Sequence, residues 1–221
     1  MSNIFKIFDF LKNLEENNNR EWFNEHKSEF TQLRKAWIED LGKLLAEMSI
    51  YEPSLINVEP KQCAYRIYRD TRFSANKLPY KNHFGALLGI GGTKCNCASY
   101  YLHIQPGQCG IYGGIWCPER DTLNALRHAI DDNYDEFTEI IEAPDFKSRY
   151  TIIGDTLKKL PQGFSPDTPA VKFVKMKEYL VEMRIPDSHF KSPDWIKYVA
   201  DNFSYMKPLN DFLNYTITEE L

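Results

Sequence analysis

No stretch of this chain holds the roughly 20 consecutive apolar residues that a membrane helix needs. Its opening apolar run is interrupted by Lys6 and Asp9 and has no small-residue cleavage site, so neither a membrane span nor a secretory leader is expected. An excess of basic charge is also missing. With 27 Lys and Arg against 31 Asp and Glu, the net charge is -4 and the pI near 5.8, which excludes a protein whose whole surface seeks phosphate backbones. Any anion binding must be local.

Cysteine is scarce and unpaired in pattern. Five residues, an odd number with no Cys-x-x-Cys among them, fit reduced thiols in the cytoplasm better than a disulfide framework. Cys95, Cys97, Cys109 and Cys117 with His103 do not fall at the spacing of a zinc site, and no metal or cofactor is expected. Cys63 and Cys109 read as small buried hydrophobes. The glycines at 110, 113 and 114 come with neither a Walker lysine nor the dinucleotide fingerprint, and Ser74 lacks a nucleophile elbow. No repeat, low-complexity tract or linker divides the sequence, so residues 1–221 are expected to form a single domain.

What is present is a chain of 221 residues, 43% hydrophobic, long enough for one substantial core. Apolar residues at helical spacing predict a helix from Ile4 to Leu14. Asn18 followed by Glu21 resembles a capping box that starts a long second helix, with Trp22, His26, Phe30, Leu33, Trp37, Leu41, Leu44 and Met48 on one face. The period then becomes two. Cys63, Tyr65 and Ile67 alternate with Ala64, Arg66 and Tyr68, and further strands are predicted at Phe84–Ile90, Ser99–Gln105 and Cys109–Trp116, an antiparallel meander whose last strand carries Gly110, Gly113 and Gly114, marking a bulge or a place where another backbone or a ligand comes close. Helices follow from Pro118 and from Tyr134 to Glu142, then a loop-rich stretch to Gly163. Beyond it come a helix over Ala170–Lys177, a fifth strand over Tyr179–Arg184, and a last helix from Ser192 kinked at Pro208. The fold class is α+β: a central antiparallel sheet packed against a long N-terminal helix and C-terminal helices.

One segment stands out chemically. From Arg66 to Lys81 the chain gathers Arg66, Arg69, Arg72, Lys77 and Lys81 around one carboxylate, Asp70. Arginine offers a planar fork to phosphate or carboxylate and lysine a point charge, so Arg66, Arg69, Arg72, Lys77, Tyr80 and Lys81 are the candidate ligand-binding residues. Asp70 is the candidate general base or arginine orienter. His103, on the polar face of its strand, is the second candidate proton-transfer group, and Tyr80 an alternative to it. His26 reads as a packed core residue, while His83, His128 and His189 show no partner pattern.

The pattern Arg66-x-x-Arg69-Asp70-x-Arg72-Phe73, continuing to Asn76-Lys77 and Tyr80, resembles the signature of a bacterial family of uncharacterised proteins, domain of unknown function 2461. The resemblance extends upstream to Asn18-Asn19-Arg20-Glu21-Trp22-Phe23. Downstream it takes in Tyr101-x-His103-Ile104-x-Pro106, Gly114-x-Trp116-x-Pro118, Leu160-Pro161-x-Gly163-Phe164 and Pro208-Leu209. Thr168 stands before Pro169 where the family pattern has His. The resemblance implies no activity, because the family carries none.

The residues thus support three readings. The leading one is a protein that binds a small phosphorylated or carboxylated ligand, with catalysis left open. The second is a structural or protein-interaction module in which the basic motif is an internal ion-pair network, each cation meeting an Asp or Glu of the same chain. The third is a nucleic-acid contact, which the acidic balance disfavours. Oligomeric state is beyond the sequence.

Overall fold

The computed structural model describes residues 4–219; Met1 to Asn3, the start of the segment read for a leader, lie outside them. The chain begins with helices α1 (Ile4–Glu16), α2 (Arg20–Glu25), α3 (Lys27–Met48) and the one-turn α4 (Pro60–Cys63). Strands β1 (Phe84–Leu88), β2 (Ser99–Ile104) and β3 (Gly110–Ile115) follow, then α5 (Arg120–Asp132), α6 (Tyr134–Glu142) and α7 (Pro144–Arg149). After β4 (Thr151–Ile153) and α8 (Val171–Val174) come β5 (Tyr179–Arg184), α9 (Trp195–Ser204) and α10 (Lys207–Glu219). The five strands form one antiparallel sheet in the order β1-β2-β3-β5-β4, and with helix at 51% the class is α+β. No helix among the described residues is long and apolar enough to cross a membrane.

Internal contacts divide the chain into two compact units. The first comprises residues 1–94, 101–111 and 184–201. Helix α1 turns Ile4, Ile7, Phe8, Phe10, Leu11 and Leu14 inward, as its spacing dictates. Phe10 meets Phe23 and Phe30, while Phe8 packs edge-on against Phe190. Phe30 and Trp37 of α3 lie 6.0 and 6.1 Å from the Phe84 ring, which sets the long helix against the start of the sheet. That helix is interrupted at His26. Its Nδ1 lies 2.8 Å from the Trp22 carbonyl, which also accepts the His26 N–H at 3.1 Å, and its ring stacks on Trp22, while its backbone at φ -97 and ψ 10 stands outside helical geometry.

The second unit comprises residues 95–100, 112–183 and 202–221. Its core joins Phe137 to Phe173 and Phe212, and Tyr100 of β2 to Phe203 of α9. The close approach expected at the glycines of β3 is present: a methyl group on Gly113 would lie 2.6 Å from Met206 Sδ, and one on Gly114 would lie 2.0 Å from the Tyr179 carbonyl oxygen. Asn210 Oδ1 accepts the Gly114 N–H at 2.8 Å, binding α10 to β3.

Several expectations are corrected. No regular strand forms over Cys63–Tyr68: Pro60 opens α4 instead, and the chain beyond it runs extended with isolated bridges at Ala64 and Tyr68. Arg69 donates to the Pro79 carbonyl, but Pro79 has no N–H to return, so the ladder cannot continue outward. The helix N-cap is Asn19, whose Oδ1 accepts from Trp22 N–H, and Asn18 is free for another task. The stretch after Glu142 is not all loop, since Pro144 starts α7 and β4 follows. Pro208 does not kink one last helix; it sits in the first turn of the separate helix α10, where a missing N–H costs nothing. Lastly, Cys95 and Cys97 are disulfide-bonded rather than free, their separation of two placing the Cα atoms 5.5 Å apart, within bonding range.

Candidate functional site

The two ends of the basic stretch are pinned together by backbone. Lys81 N–H donates to the Ile67 carbonyl at 2.8 Å and Arg69 N–H to the Pro79 carbonyl at 2.9 Å, so residues 70–78 form a loop that leaves and re-enters at one place. Asn18 secures the return. Its Oδ1 accepts the Tyr80 N–H at 3.1 Å and its Nδ2 donates to the Tyr80 carbonyl at 3.0 Å, while the Tyr80 ring stacks on Phe23 at 4.0 Å.

Within the loop the motif turns on itself. Asp70 accepts from the Arg72 backbone N–H and, bidentately, from its guanidinium at 3.0 and 2.6 Å. Those bonds hold the exposed Asp70 carboxyl down at about 2, with the Arg72 and Arg66 charges adding to the effect. Lys77 Nζ donates to the Thr71 carbonyl, and Asn76 Oδ1 caps the Leu78 N–H. Phe73 projects with 96% of its surface exposed. Arg72 is thus the one basic residue of the stretch in an ion pair among the described residues. An internal network would require a carboxylate for each of the others, and among the described residues Arg66, Arg69, Lys77 and Lys81 have none within ion-pair reach.

Beyond Tyr80 the chain alternates into β1. Phe84, Ala86 and Leu88 face the core, which leaves Lys81, His83 and Gly85 on the other face, opposite Tyr101 and His103 of β2. Lys81 is half-buried with Nζ 4.9 Å from the Tyr65 ring centre; burial, then the Arg66 charge, lowers its pKa. The His83 ring lies 4.5 Å from that of His103. Burial first, then the fields of His103, Lys81 and Arg69, push the His83 pKa down to about 3. His103 is lowered too, by burial and by Arg184, against the opposing effect of its bond to Gln105. Gln105 Oε1 accepts from His103 Nε2 at 3.0 Å, which leaves Nδ1 to accept the Tyr101 hydroxyl at 3.1 Å: a neutral imidazole with its tautomer fixed by its partners. Tyr101 has room because position 85 is glycine; a Cβ there would lie 2.5 Å from the Tyr101 hydroxyl.

A cleft of about 330 Å³ opens beside these groups, lined by Glu15, Asn18, Arg69, Asn76, Leu78, Tyr80, Lys81, Asn82 and His83. Of the six candidate ligand residues, Arg69, Tyr80 and Lys81 line it, whereas Arg66, Arg72 and Lys77 do not; Arg66 is exposed and acts on Lys81 through its field. Neither candidate catalytic residue lines it: Asp70 is taken up by Arg72, and His103 stands behind His83. The second unit holds a larger cleft of about 740 Å³, but its Glu136, Glu139 and Asp211 would repel an anion. The sequence reading missed His83, Asn18 and Tyr65. The period of two that links Lys81, His83 and Gly85 was the available signal for His83; nothing local announces the other two.

A family model described as "Conserved hypothetical protein (DUF2461)" matches residues 6–212. The chain belongs to this family. No curated protein and no solved structure matches it. The DUF2461 match takes in the basic loop, the Asn18 clamp and the His83–His103 pair alike, so the whole candidate site lies inside the family domain.

Proposed function

We propose that this DUF2461 protein binds a small anion, a phosphate or carboxylate group, in the cleft of Arg69, Lys81 and His83. One observation carries the reading: Lys81 is a half-buried cation with an aromatic ring beneath it and, among the described residues, no carboxylate within ion-pair reach, in a cleft that also receives Arg69. Removing an ammonium from water without a counter-ion is costly, and the field of Arg66 adds to that cost. An anion would relieve both. Asn82 adds an amide to the lining, and Glu15, 3.5 Å from its Nδ2, favours a ligand that also carries a donor group. The proposal is one of binding, and it assigns no reaction.

Titration with inorganic phosphate, followed by thermal shift and by chemical-shift changes of the His83 imidazole, tests it. Phosphate should raise the Tm of the wild type, and Lys81→Gln and Arg69→Gln should each weaken binding by roughly tenfold, about 1.4 kcal/mol, while folding unaided. If phosphate, sulfate and acetate all leave the Tm and the imidazole resonances unmoved, the proposal fails.

A second reading rests on Phe73. An aromatic ring 96% exposed, with the Arg72 guanidinium 5.8 Å from its centre, suits a loop that docks on another protein. Loss of binding partners in Phe73→Ala, with phosphate binding intact, would favour it.

A further inference from the structure

Cys95 and Cys97 are joined across a single residue, Asn96, in a bond that links no two distant parts of the chain. A cross-link stabilises chiefly by closing a loop in the unfolded state, and the shortest loops gain least. The bond is therefore a poor staple. Three further features give it a different character. Both residues are partly exposed and flank the exposed Asn96, so the bond lies in a stretch open to solvent. Next in the chain, Ala98 is clamped by Asn214, which accepts its N–H at 2.8 Å and donates to its carbonyl at 3.0 Å; the backbone beside Cys97 is held independently of the S–S bond. And the Cys97 N–H points at Cys95 Sγ from 3.4 Å, a donor that stabilises negative charge on that sulfur.

We propose that Cys95 and Cys97 form a thiol–disulfide exchange site whose co-reactant is a low-molecular-weight thiol. The thiolate attacks Cys97 Sγ, forming a new S–S bond as the Cys95–Cys97 bond breaks, and the electron pair leaves on Cys95 Sγ, where the Cys97 N–H receives it. A second thiolate then attacks the thiol's own sulfur in the mixed disulfide, and Cys97 departs as thiolate. In sum, one protein disulfide and two thiols give one protein dithiol and one small disulfide; the two protons of the thiols end on the cysteines, and two electrons pass to the protein. Run backwards, the dithiol reduces a small disulfide. Cys95 is the leaving sulfur because the sulfur better stabilised as thiolate departs faster.

The full chain is equilibrated at graded ratios of reduced to oxidised glutathione, quenched with an alkylating reagent and mapped by peptide mass. Exposed Cys117 serves as the accessible reference, and buried Cys63 and Cys109 as the protected ones. The alkylated fraction of Cys95 and Cys97 should move together from near none to near complete across the series, with no change in Tm. Under limiting thiol the first adduct on the disulfide-bonded protein should sit on Cys97; Cys95→Ser, which has no disulfide to open, should take up an adduct on Cys97 from oxidised glutathione, releasing one glutathione thiolate, and hold it because no neighbouring thiol displaces it. A pair that stays oxidised at every ratio, a pair that never oxidises, or a large fall in Tm on reduction each overturns the proposal; a first adduct on Cys95 overturns the assigned direction.

Discussion

The imidazole rings of His83 and His103 lie 4.5 Å apart, tilted by 34°, with Lys81 and Arg69 bearing on the first of them. Two protonated rings in that setting would repel each other and the two cations. The pair is therefore held neutral, and the fold is coupled to pH. His83 has a folded pKa of about 3 against an ordinary value of 6.5, so below pH 6.5 the unfolded chain binds a proton that the folded chain refuses. Stability from this residue is complete above pH 6.5 and is lost as the pH falls toward 3. By pH 5 the loss should reach about 2 kcal/mol, with His103 contributing in the same direction. Urea unfolding at pH 7 and pH 5 measures it, and the difference should shrink in His83→Gln.

The Tyr101 hydroxyl bonds the neutral form of His103, and so should depress its pKa. Tyr101→Phe, which removes the hydroxyl without crowding, is expected to raise the His103 pKa in an NMR titration. Gly85→Ala should do the same and also destabilise, by about 1–3 kcal/mol, because its methyl must displace the Tyr101 ring. A His103 titration unmoved in both variants would show that this hydrogen bond does not set its protonation.

Asn18 satisfies both backbone groups of the buried Tyr80. Asn18→Ala leaves an N–H and a carbonyl unpaired and should cost about 1–3 kcal/mol for each that water fails to reach. It should also weaken phosphate binding, since the clamp fixes the residue preceding Lys81. Asn18→Asp keeps the acceptor and loses the donor, so its stability is expected to fall between the two.

Gly114 adopts φ +103 with the Tyr179 carbonyl where a side chain would stand. Gly114→Ala combines a backbone conformation that L-residues avoid with a direct clash against backbone, and should cost about 3 kcal/mol or more. In a chain of this length that lowers the Tm by roughly 6–12 °C, measurable by calorimetry. Gly107→Ala, at φ +74 with open space around it, keeps the backbone strain without the clash and should cost less.

The periodic parts of the sequence carried most of the fold. Ile4 to Leu14, the apolar face from Phe30 to Met48, and the alternation of Tyr100, Leu102 and Ile104 all place their buried residues correctly, because a side chain's face follows from the period of the element that carries it. Failures came where one group's partner decided the matter. Pro60 opens a helical turn that takes in Cys63, and Pro79 cannot return a bond to Arg69, so the chain between them pairs only at isolated bridges; His26 leaves helical geometry where the stripe of apolar residues ran straight through.

The candidate site divides in the same way. From residue types alone the sequence determined that cations cluster between Arg66 and Lys81 around a single carboxylate, since charge is a property of the side chain. It could not apportion them. Tertiary structure turned Arg72 onto Asp70 and Lys77 onto a carbonyl, left Arg69 and Lys81 beside a cleft with no counter-ion among the described residues, and brought His83 against His103 from another strand. Whether a cation is paired, buried or free depends on what lies a few ångströms away. That neighbour comes from residues far off in the chain, such as Asn18, 62 positions before Tyr80.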